Sequence, residues 1–216
     1  MQSPDPVAPQ EYTPASEPFI RLPPVTTALF LIILLIQAGL SVWSHYSGMQ
    51  VLVQAYFSFG FIPALLTTSL QALPTILTAG FLHGGWFHLG INGAMLLACG
   101  SGVEKLGGRV FLLAVFIGGI IIGNLSHYAL FPTGQTPLIG ASGGISALFG
   151  TVLVLSVGAD KRRLGFWLLL FIGLSAVQWG MGGPNGEEIG VFAHLGGFLY
   201  GLVAGLVFIK RQSQSI

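Results

Sequence analysis

Three short runs of this sequence carry side chains able to do nucleophilic or acid–base chemistry. His83-Gly84-Gly85-Trp86-Phe87-His88-Leu89-Gly90-Ile91-Asn92 places His88 and Asn92 four residues apart, on one face of a helix. Gly140-Ala141-Ser142-Gly143-Gly144 sets one hydroxyl among small residues, and Ala193-His194-Leu195-Gly196-Gly197 supplies another imidazole. A serine hydroxyl is a weak nucleophile until a base takes its proton, so Ser142 with one of the histidines is a candidate for acyl transfer. Backbone N–H groups at a helix start, the Asn92 amide and His88 are candidate donors to the oxyanion that such chemistry develops.

Each run has a plainer reading. Gly140-x-Ser142-x-Gly144 fits the nucleophile elbow of soluble α/β hydrolases, but that turn follows a strand and needs a separate acidic partner. No acidic residue falls within the apolar runs, and Glu187 and Glu188 belong to a polar loop as solvated charges. A Ser–His dyad therefore fits better than a triad. A metal centre built from His83, His88 and His194 lacks H-E-x-x-H and any acidic or Cys ligand in its layer, so no metal is expected. Taken alone, Ser142 reads as a small-residue helix contact and His127 as a structural histidine. Gly197, Gly201 and Gly205 recur every four residues and read as a packing stripe. That stripe would bring its helix close to the Gly-rich face around Ser142, and His194 towards the hydroxyl.

The elements that must position these groups follow from composition. The 216 residues are 53% hydrophobic and 7% charged, against about 25% charged in soluble domains. This is the composition of a membrane protein. Eight Lys+Arg against seven Asp+Glu leave a net +1, too sparse a charge for nucleic-acid binding by counterion release. The lone Cys99 has no intrachain disulfide partner and reads as packing. Residues 1–20, in a stretch where seven of the twelve prolines fall within the first 24 positions, read as a disordered tail.

The first apolar run, 25–43, is close to the roughly 20 residues a crossing needs, and without a basic start and short apolar core it should stay as an anchor. Residues 44–80 mix aromatic and apolar positions with Ser, Gln, Thr, Pro63 and Pro74, which suits a long membrane-associated first loop. Further apolar runs at 86–103, 108–130, 141–159, 164–180 and 190–209 complete an all-α, polytopic bundle of six transmembrane helices. The membrane domain covers 21–210, and 211–216 form a short C-terminal tail.

Charge then orients the bundle. Arg21, Lys105, Arg109, Lys161, Arg162, Arg163, Lys210 and Arg211 all fall on one side of a six-span chain, while the other holds Glu187 and Glu188. Both termini are expected in the cytoplasm, with the protein in the plasma membrane. Spans two, four and six then start on the outer side, and each carries one of the three runs near its start.

The order and placement of the runs resemble the rhomboid family of intramembrane serine proteases. Gly140-Ala141-Ser142-Gly143 matches its G-x-S-G, Ala193-His194-Leu195-Gly196-Gly197 its histidine motif, and His88-Leu89-Gly90-Ile91-Asn92 its H-x-x-x-N. The resemblance covers residues 25–209. It implies Ser142 as nucleophile, His194 as general base, and His88 and Asn92 as oxyanion donors with the Ser142 amide. Gly140 and Gly143 would support the serine, and His83, frequent in the second-span motif, would support the site. It further implies cleavage of single-span membrane proteins near helix-breaking residues, without a cofactor. Two departures stand out: no Trp-Arg pair occurs in 44–80, and Ser146 stands where some members carry an aromatic that packs on the catalytic histidine. Two other readings are a catalytically silent rhomboid-like protein that binds transmembrane helices, and a small transporter. The first typically lacks the serine or histidine; the second is disfavoured by spans without charge or repeat-related interruptions.

Overall fold

The computed structural model describes residues 22–158, 160–181 and 190–214, and of 174–181 only the backbone. The tail 1–20, Arg21, Glu187 and Glu188 lie outside the described residues. The fold is all-helical, and three of its helices are long and apolar enough to cross a membrane: α1 (Pro24–Ser47), α6 (Arg109–Leu130) and α9 (Val191–Ser213). Between α1 and α6 come α2 (Gln50–Phe59), α3 (Thr75–Thr78), α4 (Trp86–Met95) and α5 (Ser101–Gly107). A π-helical turn, Leu96–Gly100, joins α4 to α5 without a break. Beyond α6 lie α7 (Ser142–Val157) and α8 (Lys161–Met181).

Local chemistry explains several boundaries. Proline opens α1, where its missing N–H costs nothing. The expected loop 44–80 begins later than the sequence suggests, because α1 runs on to Ser47, and it contains α2 and three 3-10 turns. At the other end α9 continues to Ser213, so Arg211–Ser213, expected to begin the tail, are helical.

Packing follows small residues. Nearly every residue from Gly143 to Leu148 is buried, and α7 sits against both α6 and α9. A Cβ at Gly144 would lie 2.6 Å from the Phe116 carbonyl of α6, and one at Gly201 would collide with the Ala147 carbonyl. The Thr151 hydroxyl donates to the Gly201 carbonyl at 2.9 Å, closing the same interface with a hydrogen bond. Phe171 of α8 stacks on Phe198 of α9 with centroids 4.2 Å apart.

The first loop is pinned to the segment before α7. Phe61 and Leu138 exchange backbone hydrogen bonds of 3.0 and 2.8 Å, Ala64 N–H donates to the Gly134 carbonyl at 3.0 Å, and Gly140 N–H donates to the Ala79 carbonyl at 2.9 Å. The Asn124 amide of α6 donates to the Ile76 carbonyl at 2.8 Å. Without a Trp-Arg pair, backbone groups and one buried amide anchor the loop.

At the opposite end of α1 sits Glu104 of α5. Its carboxylate is 6% exposed. It accepts the Val25 N–H at 3.1 Å, the Thr26 N–H at 2.8 Å and the Thr26 hydroxyl at 2.8 Å, with Arg109 Nε at 3.9 Å. An anion thus caps the positive end of α1 and satisfies donors that the helix cannot. Burial alone would raise its pKa, but the hydrogen bonds from Thr26 and Val25 and the Arg109 charge outweigh it and hold the carboxyl below its ordinary value.

A depressed folded pKa stabilises the fold above the ordinary glutamate value of about 4.3, and the contribution is lost as the pH falls through the folded value. Thermal melts in detergent should therefore show a fall in Tm below about pH 4. Glu104→Gln should remove part of that slope and cost roughly 1–3 kcal/mol at neutral pH, because one end of the amide turns N–H against N–H. An unchanged melt for Glu104→Gln would show that the cap does not hold α1.

Candidate active site

The site begins with a glycine that no other residue could replace without strain. Gly140 has φ +129, outside the range of L side chains, and a Cβ there would lie 2.9 Å from His88 Cε1 and 3.0 Å from His88 Nε2. The same Cβ would lie 3.6 Å from Ser142 Oγ. Gly140 is therefore what lets the His88 ring lie beside the serine. Ala141, fully buried, then turns the chain so that Ser142 opens α7. The first intrahelical bond is Ile145 N–H to the Ala141 carbonyl at 2.9 Å. The N–H groups of the preceding residues have no helical acceptor, and the positive end of the helix dipole lies at the serine.

His194 sits in the first turn of α9, its N–H donating to the Gly190 carbonyl at 3.1 Å. Its Nε2 is 2.7 Å from Ser142 Oγ, across 52 residues of sequence. Both residues are part-buried. The spacing is set by Gly197, one turn further along α9. A Cβ there would collide with the Gly143 carbonyl, and one at Gly123 of α6 would stand 2.6 Å from the Ala193 carbonyl. Gly143 is thus a contact point of three helices, next to the serine.

On α4, His88 Nδ1 accepts the Gly84 N–H at 3.4 Å, and Nε2 is turned towards Gly140. His83 is fully buried and meets His88 edge to face, with centroids 5.0 Å apart. Its carbonyl accepts the Tyr56 hydroxyl of α2 at 2.9 Å, a tie for which the sequence offers no signal. Asn92 is buried, and its amide donates to the His88 carbonyl within α4 at 3.0 Å. The structure therefore brings Ser142, His194 and His88 together, with His83 behind His88, and leaves Asn92 hydrogen-bonded to its own helix rather than to Ser142.

Two further contributors lie on α6. Gly119 and Gly123 admit α7 and α9, and their i, i+4 spacing is a signal the sequence does carry. His127, buried at the end of the same helix, lies over Phe131 at 5.1 Å, which in turn meets Phe192 at 5.5 Å. This series of rings braces the first turn of α9 through Phe192. Among the described residues no group of three or more His, Cys, Asp or Glu is gathered as a metal site would require.

A family model described as Rhomboid domain matches residues 70–211. The chain belongs to the rhomboid family. Among curated rhomboids it is 26% identical over 202 residues to "Putative rhomboid protease YdcA" of Bacillus subtilis, covering 91% of this chain and 94% of that protein. It is 27% identical over 153 residues to "Rhomboid-related protein 3" of Homo sapiens, covering 65% of this chain and 37% of the human protein. It is also 33% identical over 138 residues to "Rhomboid-type serine protease 2" of Emericella nidulans, covering 62% of this chain and 26% of that protein.

In this rhomboid the α7–α9 contact should control the reactivity of the serine. Gly197→Ala forces α9 off the Gly143 carbonyl, and a shift of about 1 Å can cost roughly 100-fold in a reaction that depends on alignment. Labelling of Ser142 by a fluorophosphonate probe should slow at least roughly tenfold in Gly197→Ala. Gly205→Ala, whose new Cβ meets the Val154 side chain two turns away, should slow it far less. Equal slowing in both would make the stripe a determinant of stability alone.

Proposed function

We propose that this chain is an intramembrane serine endopeptidase that hydrolyses peptide bonds of single-span membrane proteins. The observation that carries the reading is the 2.7 Å approach of His194 Nε2 to Ser142 Oγ at the start of α7. In this mechanism His194 takes the hydroxyl proton as Oγ attacks the scissile carbonyl carbon. The carbonyl oxygen becomes an oxyanion, met by the Ser142 N–H, the His88 Nε2–H and the Asn92 amide. Asn92 serves by turning from the His88 carbonyl. Collapse of the intermediate expels the amine, which receives the proton from His194, and leaves an acyl-serine. Water, deprotonated by His194, then attacks the ester and regenerates Ser142. Gly140, Gly143 and His83 hold these groups in place, and no step needs a metal or cofactor.

The reading places six spans in the plasma membrane with both termini cytoplasmic. The basic residues gather at the ends of α5, α8 and α9 away from Ser142, as the bias of cytoplasmic loops requires. Trp86, Phe87, Ile91 and Met95 are exposed on α4, the helix that carries His88 and Asn92. They offer a substrate helix an apolar face beside the site.

Ser142→Ala and His194→Ala should each abolish cleavage of a single-span substrate in proteoliposomes while leaving Tm nearly unchanged. Residual cleavage above about a hundredth of wild type in both would sink the dyad, since losing either member removes nearly all covalent catalysis. A wild type that neither reacts with a fluorophosphonate probe nor cleaves would favour a helix-binding protein.

Asn92→Ala separates a catalytic from a packing role. As an oxyanion donor its loss should slow single-turnover cleavage by roughly 10–1000-fold, with a Tm change of a few degrees at most, because a membrane-protein hydrogen bond averages only about 0.6 kcal/mol. A large drop in Tm with wild-type turnover in the folded fraction would assign Asn92 to structure.

A further inference from the structure

A cavity of about 560 Å3 lies between α1 and α2, apart from the catalytic groups. Ile32, Ile36, Leu40 and Trp43 form its α1 wall at helical spacing, and Ala55 and Phe81 close the far side. Its polar lining groups are Gln54, Ser58 and Thr78, and Thr78 already donates its hydroxyl to the Phe59 carbonyl at 2.7 Å. Among the described residues, no charged side chain lines it. Its mouth opens sideways along α1, where Ile32 and Trp43 are 45% and 59% exposed.

We propose that this cavity binds one acyl chain of a phospholipid with a zwitterionic headgroup, drawn from the leaflet on the side where α1 ends at Ser47. Depth is the first argument. From Ile32 to Trp43 the wall runs about 16 Å at 1.5 Å per residue, close to the ~15 Å of one hydrocarbon leaflet. Trp43 and the exposed Tyr46 mark the interfacial end.

Volume is the second: at about 30 Å3 for a small group in a condensed phase, the space holds ~18 methylene-sized groups, one long acyl chain. Charge is the third. Beyond Ser58 a second cavity of about 330 Å3 has Ser58, Ser69, Gln71 and Thr75 among its lining, again with no Lys or Arg among the described residues. Neutral hydroxyls and amides give no means of selecting an anionic headgroup, which basic side chains would do. Water gains little in the apolar part, whereas bilayer hydrocarbon lies at its mouth. The inference needs only that α1 crosses the bilayer and is independent of the proposed chemistry.

The test uses the full chain, reconstituted with equal phosphatidylethanolamine and phosphatidylglycerol, extracted into detergent and exchanged until bulk phospholipid is removed. Native mass spectrometry should show about one phosphatidylethanolamine retained per chain. Ile36→Trp, which fills the cavity, should reduce retention at least tenfold, about 1.4 kcal/mol. Leu35→Trp, on an exposed face outside the lining, should retain lipid as wild type does. No retained lipid, equal retention by Ile36→Trp, or preferential retention of phosphatidylglycerol would each overturn the proposal. Should Ile36→Trp fail to fold, wild-type protein in bilayers carrying a diazirine-acyl phosphatidylethanolamine decides. Adducts on residues 51–59 as well as on α1 support the site, and adducts confined to exposed positions such as Leu35 overturn it.

Discussion

Two helix backbones, α7 and α9, touch with no side chain between them, and the geometry at Ser142 follows from that contact. Gly197 lies against the Gly143 carbonyl and Gly201 against the Ala147 carbonyl, so the helices approach as closely as main-chain atoms allow. Within a bilayer there is little hydrophobic gain in pressing one apolar helix on another, and packing of small residues supplies the attraction instead. An imidazole in the first turn of α9 can then span the gap to a hydroxyl in the first turn of α7, giving 2.7 Å. A wider separation would leave His194 short of the serine. The same glycines exclude side chains that would otherwise fill the cleft.

The rest of the fold holds this pair of helix starts from two directions. From α6, Gly119 and Gly123 admit α7 and α9, and the rings of His127, Phe131 and Phe192 brace the start of α9. From the first loop, backbone hydrogen bonds at Phe61, Ala64 and Ala79 hold the segment that ends in Gly140, where positive φ aims the chain into α7. The loop also reaches the second histidine layer, because Tyr56 ties α2 to the His83 carbonyl and His83 packs against His88. His88 is thus positioned partly by ring packing against His83, whose carbonyl is hydrogen-bonded to Tyr56.

Glu104 shows the same economy at the far end. A carboxylate among apolar helices would be costly if unpaired, yet here it accepts three hydrogen bonds from the start of α1. It joins the first helix to the end of α5, at the opposite end of the molecule from the serine.

Much of the site was legible in the sequence, for reasons that can be named. Sparse charge specified a membrane protein, and hydroxyl, imidazole and amide groups within apolar runs marked themselves as expensive and hence as candidates. The four-residue glycine repeat announced a close helix contact. Other features were decided only by tertiary structure. The π turn at Leu96–Gly100 and α2 within the first loop had no local signature, and the capping role of Glu104 depends on Val25 and Thr26, 79 and 78 residues away. Asn92 shares a helix face with His88 by sequence, but which acceptor its amide takes is a choice between the His88 carbonyl and the cleft, and packing made it. Residue types and helical periodicity are local properties, so the sequence determined which groups are present and on which helix ends. Distance and hydrogen-bond partner depend on how closely separate helices approach, and only the assembled α6–α7–α9 contact decided those.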